Sequence, residues 1–88
     1  PAKFQLDQNY PNPFNPTTTI RFTVPKSSHV TLKLFDMMGR EVASLVDETL
    51  PAGDYKVEFD AKGLASGIYF YRIQAEGFIQ TKRLTLLK

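Results

Sequence analysis

The chain of 88 residues reads as an all-β protein, an immunoglobulin-like antiparallel β-sandwich of about seven strands. Three observations predict this. Apolar residues recur at every second position through several short runs, as Ile20, Phe22 and Val24 do between Arg21 and Thr23, which is the period of a half-buried strand. Turn-forming residues separate these runs at intervals of about 8–12 residues, as in sandwiches and barrels. No long segment carries a helical apolar stripe, although Val42, Leu45 and Val46 fit either period. A small closed barrel is the other way to close the same strands.

Strands are expected at roughly 3–8, 18–24, 29–36, 40–46, 54–60, 67–75 and 78–87. Between the first two lies Gln8-Asn9-Tyr10-Pro11-Asn12-Pro13-Phe14-Asn15-Pro16-Thr17-Thr18-Thr19-Ile20. Its prolines push Tyr10, Asn12 and Asn15 away from helical conformations and lack backbone donors, so it cannot be a central strand. It is expected to be a stiff irregular crossing, with Tyr10 and Phe14 packed over one end of the sandwich. Val24-Pro25-Lys26-Ser27-Ser28 ends the second strand. Val30, Leu32 and Leu34 mark the third, and Asp36-Met37-Met38-Gly39 reads as a type I turn with Gly39 at positive φ. Pro51-Ala52-Gly53-Asp54 precedes the alternation of Tyr55, Val57 and Phe59. After Lys62-Gly63 and Ser66-Gly67 come Tyr69, Tyr71 and Ile73, expected in the core, with Ile68 and Phe70 loading the other face. Glu76-Gly77 closes the last hairpin, where Asn-Gly would suit a tight turn better. The final strand places Leu84 and Leu86 opposite Arg83, Thr85 and Leu87.

The length accommodates one domain, 1–88, which buries roughly 60–65% of its unfolded surface. Pro1 in place of an initiator Met reads as the start of a piece excised from a longer chain. With no cysteine there is no disulfide, thiolate site or Cys nucleophile. A net charge of +2 spread along the chain lacks the concentrated basic face of a nucleic-acid binder. The short apolar runs leave nothing to insert into a membrane. A single His29 supplies no two-histidine metal site and reads as a solvated turn residue. Asp36, Asp47, Glu48, Asp54 and Asp60 fall at expected strand ends or loops. They lack calcium-loop spacing and read as solvated acids rather than ligands. No paired carboxylates imply a hydrolytic cleft and Gly63–Gly67 is no phosphate loop, so neither enzyme activity nor a cofactor is expected. Tyr69, Phe70 and Tyr71 admit a sugar-stacking reading, but a core role is favoured for the tyrosines.

The Pro-rich phrase resembles the opening of C-terminal sorting domains of the type IX secretion system, and also that of the related flagellar hook-capping domain. The resemblance continues through Thr18-Thr19-Ile20-Arg21-Phe22, Val30–Asp36 with Gly39-Arg40-Glu41-Val42, Gly53-Asp54-Tyr55, Leu64–Arg72 and Lys82–Lys88. Order and spacing together are more specific than any block. The type A sorting domains it resembles are non-catalytic secretion signals. The resemblance implies export of an upstream cargo in cis through the periplasm to the medium or cell surface. Its implied partners are outer-membrane secretion components and a sortase-like peptidase. A carbohydrate-binding or structural accessory module is the alternative. The resemblance also makes Lys82, Arg83, Leu84, Leu86, Leu87 and Lys88, with Gly67, Tyr69 and Phe70, the candidate recognition residues. A final edge strand with unpaired backbone groups can dock by strand addition, or pair with a second copy as a dimer. Lys82, Arg83 and Lys88 would select by charge and discourage self-pairing.

Overall fold

A computed structural model describes residues 2–88. Seven strands form two antiparallel sheets: β1 (Gln5–Leu6), β2 (Thr17–Val24), β3 (Ser28–Phe35), β4 (Glu41–Leu50), β5 (Gly53–Asp60), β6 (Gly67–Ala75) and β7 (Phe78–Leu86). One sheet has the order β1-β2-β5 and the other β4-β3-β6-β7. The expected sandwich is therefore formed, with two sheets rather than a closed barrel. Strand β4 sits beside β3 on the larger sheet, where variable immunoglobulin domains carry their extra strand.

The alternation read from the sequence sets which side chains meet between the sheets. Ile20, Phe22 and Val24 from β2 are buried against Val30, Leu32 and Leu34 from β3 and Tyr71, Ile73, Leu84 and Leu86 from β6 and β7. With the shortest dimension only 17 Å, there is room for a single interdigitated layer between sheets packed about 10 Å apart. Aromatic rings fill much of it, with Phe22 stacked on Tyr55 at 5.4 Å and Phe14 tilted against Phe59 at 6.4 Å. The Tyr69 hydroxyl donates to the Ala65 carbonyl at 2.7 Å, a tyrosine corner that pins the β5–β6 connection to the start of β6.

Several expectations need correction. The first strand shrinks from 3–8 to two residues, because regular pairing with β2 breaks after Asp7 and returns only as a single bridge between Tyr10 and Thr19. Strand β4 runs to Leu50, not 46. Its second half is polar and lies on an open edge, so pairing to Ser28, His29 and Val30 holds it without any apolar alternation. Asp47 and Glu48 consequently lie within a strand. His29 is likewise on β3, not in a turn, with Nε2 2.8 Å from Asp47 Oδ1 across the strand pair. Tyr10 is 80% exposed, whereas Phe14 is 3% exposed, so only Phe14 packs over the sandwich end.

The turns follow their chemistry. Gly39 has φ +83° and its N–H donates to the Asp36 carbonyl. Asp36 Oδ1 accepts from the N–H groups of Met38 and Arg40, while Oδ2 accepts from Arg40 Nε. The Arg40 N–H leads the interactions that hold the Asp36 carboxyl below its ordinary range. Glu76 and Gly77, at φ +49° and +83°, form a two-residue primed turn in which Glu76 is the strained member.

Glu76→Asn is accordingly expected to raise the melting temperature by roughly 2–6 °C, since asparagine tolerates this conformation better. Gly39→Val should lower stability by about 1–2 kcal/mol. Space is open around both Gly39 and Gly67, so the loss measures backbone strain alone. Gly67→Val, at φ +152°, is expected to lower stability as well. Thermal unfolding of the three variants tests the turn assignments.

Candidate functional site

The Pro-rich crossing joins the two sheets. On one side it continues the pairing of β1 with β2: Asp7 N–H donates to Arg21 O, and Tyr10 and Thr19 exchange backbone bonds at 3.0 and 2.9 Å. On the other side it runs parallel to the end of β7. Phe14 N–H donates to Thr85 O and Leu87 N–H to Phe14 O, both at 3.0 Å. Side chains extend the seam: Gln8 Nε2 donates to Arg83 O, and Asn12 Oδ1 accepts from Thr85 N–H. Pro16 O then receives the Ala61 N–H as the chain enters β2.

Three buried polar groups fix the path of this crossing. The Tyr71 hydroxyl accepts from Asn9 N–H at 2.8 Å and donates to Asp7 O at 2.7 Å. Tyr71 is fully buried, and burial pushes its phenol up to about 12. Asn9, 2% exposed, donates from Nδ2 to Pro11 O and Thr18 Oγ1, and Thr18 Oγ1 donates to Pro11 O at 2.8 Å. Every buried side-chain polar atom among the described residues has a partner. A buried polar cluster specifies one geometry only when fully satisfied, and this one is.

The outer face of the larger sheet is where charge and apolar surface meet. Cross-strand register aligns Phe35, Phe70 and Arg83 in one row and Lys33, Arg72 and Thr81 in the next. The Arg72 guanidinium lies 4.5 Å from the Phe35 ring centre. Phe35, Met37, Phe70, Arg72 and Thr81 line a shallow hollow of about 280 Å³. Lys33 pairs with Glu41 at 3.4 Å. Arg72, Lys82 and Arg83 have no acidic partner within 4.0 Å among the described residues.

Residues 8–86 match the model of the secretion system C-terminal sorting domain. The chain belongs to that family. No curated protein matches it significantly. The match opens at Gln8, the residue at which this sorting domain begins its crossing toward β7.

The candidate recognition residues do not share one surface in the sorting domain. Tyr69, Leu84 and Leu86 are core residues, and Gly67 holds a strand entrance at positive φ. Phe70 and Arg83 are register partners on the outer face, with Leu87, 56% exposed, projecting from the same side. Lys82 points to the opposite side of β7. Lys88 is turned back, its Nζ donating to Lys62 O and its N–H to Ser66 Oγ. Arg72 and Phe35 adjoin Phe70 on this face; a strand reading marks them as ordinary outward residues, and only their register with Phe70 sets them apart. Among the described residues no three His, Cys, Asp or Glu side chains gather as a metal site, and no helix is long and apolar enough to cross a membrane.

Tyr71→Phe should destabilise the sorting domain by about 1–3 kcal/mol, since it strands the Asn9 N–H and Asp7 carbonyl in the interior. The raised phenol adds a pH signature. Because the folded protein binds the Tyr71 proton more tightly than the unfolded chain (ordinary value near 10), its contribution is complete below about pH 10. It is lost as pH rises toward 12. Denaturant titrations across that window should fall more steeply for the parent than for Tyr71→Phe.

Proposed function

We propose that the domain is a non-catalytic export signal, read by type IX secretion machinery as a folded unit, which carries an upstream cargo through the periplasm to the medium or cell surface. The observation that carries this reading is the family match across residues 8–86. The domain is taken as a single unit over 1–88, joined in cis to its cargo. Outer-membrane components of the machinery are the receptor, and a sortase-like peptidase acts where the cargo is attached at the surface.

Recognition in this reading has two layers. Gly67, Tyr69, Leu84 and Leu86 act through the fold, because their side chains or backbone lie inside it. Phe70, Arg83 and Leu87 are the members that offer an accessible surface, extended by Arg72 and Phe35. A sugar-binding role is less well supported. Tyr69 and Tyr71 are buried, and the Arg72 guanidinium lies over the Phe35 ring, so these three rings offer no open stacking platform.

A reporter bearing an inner-membrane signal peptide and this domain at its C-terminus should reach the medium or surface only in a host with working type IX machinery. Periplasmic retention in both hosts would count against the reading. Within the exporting host, Arg83→Glu should reduce export severalfold without a matching drop in melting temperature. Leu84→Ala should lose about 2–5 kcal/mol of stability first. Equal export by Arg83→Glu and the parent would remove the outer face from recognition.

A further inference from the structure

The last strand is an edge strand, but it is open along only part of its length. Ala75 and Phe78 flank the two-residue turn, so Phe78, Gln80, Lys82, Leu84 and Leu86 direct their backbone groups toward β6. The groups of Ile79, Thr81, Arg83, Thr85 and Leu87 point away from the sheet. From the Arg83 carbonyl onward the crossing occupies them: Gln8 takes Arg83 O, Asn12 takes Thr85 N–H, and Phe14 takes Thr85 O and Leu87 N–H. Before that point the N–H and C=O of Ile79 and Thr81 and the N–H of Arg83 have no protein partner among the described residues.

This open stretch has a graded chemistry. Ile79, 57% exposed, projects to one side of its beginning, and Phe78, stacked at 5.3 Å on Phe4, to the other. Arg83 and Lys82 project to opposite sides of its end, and neither has an acidic partner. A strand laid against this edge therefore meets apolar surface at one end and a cation on each face at the other. A parallel second copy would set its Lys82 and Arg83 against their counterparts, and an antiparallel one would set them against apolar side chains, so neither supplies the carboxylates this edge favours. Charge complementarity selects a partner strand with carboxylates at one end and apolar side chains at the other.

We infer that the backbone edge from Ile79 to the Arg83 N–H is a docking site for an extended acidic–apolar segment of a partner protein, added beside β7 as a further strand. The crossing acts as a stop, limiting the added strand to this stretch. The inference rests on the sorting reading for its biological setting, but its geometry stands without it.

The test uses the isotope-labelled domain and two synthetic hexapeptides, one with Glu and Asp in its first half and Val and Tyr in its second, the other in reverse order. A third peptide replaces the acids by lysine. At least one acidic peptide should shift the Ile79, Thr81 and Arg83 amides and slow their hydrogen exchange, with weaker binding at high salt. Thr81→Pro removes an outward donor at an edge position where proline is tolerated, and should weaken binding about tenfold. Thr81→Val, which keeps the donor, should bind like the parent. If Thr81→Pro fails to fold, Lys82→Glu combined with Arg83→Glu replaces it and should also abolish the preference for the acidic peptide. Equal binding of the lysine peptide, shifts confined to β4 or β5, no binding of either acidic peptide, or self-association that protects the same amides would each overturn the inference. The reporter separates the two readings. Export of the parent without binding of either acidic peptide sinks the edge and leaves sorting intact, whereas peptide binding without export of the parent sinks sorting and leaves the edge.

Discussion

The Tyr71 hydroxyl is the point on which the fold turns. It belongs to a central strand of the larger sheet, yet both its hydrogen bonds go to the segment that edges the smaller one, through Asp7 O and Asn9 N–H. Hydrophobic burial holds the sheets together without regard to direction. The hydroxyl and the Asn9–Pro11–Thr18 cluster behind it supply direction, fixing where the first segment leaves β2 and how it reaches β7. Removing either partner leaves a buried polar group unpaired, so the arrangement has no inexpensive half-formed version.

From that fixed point the crossing distributes the protein's surfaces. By reaching the Arg83–Leu87 end of β7, it covers backbone that the last strand would otherwise expose. It also places Phe14 between Phe59 and Leu86 as a plug for the sandwich end. The outer face of the larger sheet remains open, with Phe35, Phe70, Arg72 and Arg83 in adjoining rows. The domain thus separates a buried aromatic interior from a basic and aromatic exterior by the two-residue alternation of its strands.

Much of this was legible in the sequence. The alternation of Ile20–Val24, Val30–Leu34 and Tyr55–Phe59 located three strands and their inner faces, since burial on one side leaves a period of two wherever a strand is half-covered. Gly39 and Gly77 located turns that need positive φ. The reading failed where tertiary pairing, not side-chain pattern, decides. The second half of β4 is a strand because β3 lies beside it, and Asp47, Glu48 and Thr49 carry no sign of that. The prolines announced a stiff crossing but not its destination, because the bonds from Gln8, Asn12 and Phe14 go to residues near the other end of the chain. Of the candidate recognition residues, the sequence placed Arg83 and Leu87 together correctly on the face opposite Leu84 and Leu86. The resemblance groups Lys82 and Lys88 with them; Lys82 projects to the other side, and Lys88 folds back onto Lys62 and Ser66.

The seam between the crossing and β7 joins residues 75 apart, as at Gln8 and Arg83. Contacts this distant form late, because the intervening chain must be gathered before any bond repays the loop entropy. A polypeptide interrupted before Arg83 has no seam at all: Phe14 loses its backbone partners, and the interior lacks Leu84 and Leu86. Closure of the domain therefore depends on its last strand being present. Any receptor that grips only the closed form thereby distinguishes intact domains from ones cut short of β7, as a tamper seal distinguishes a closed box from an open one.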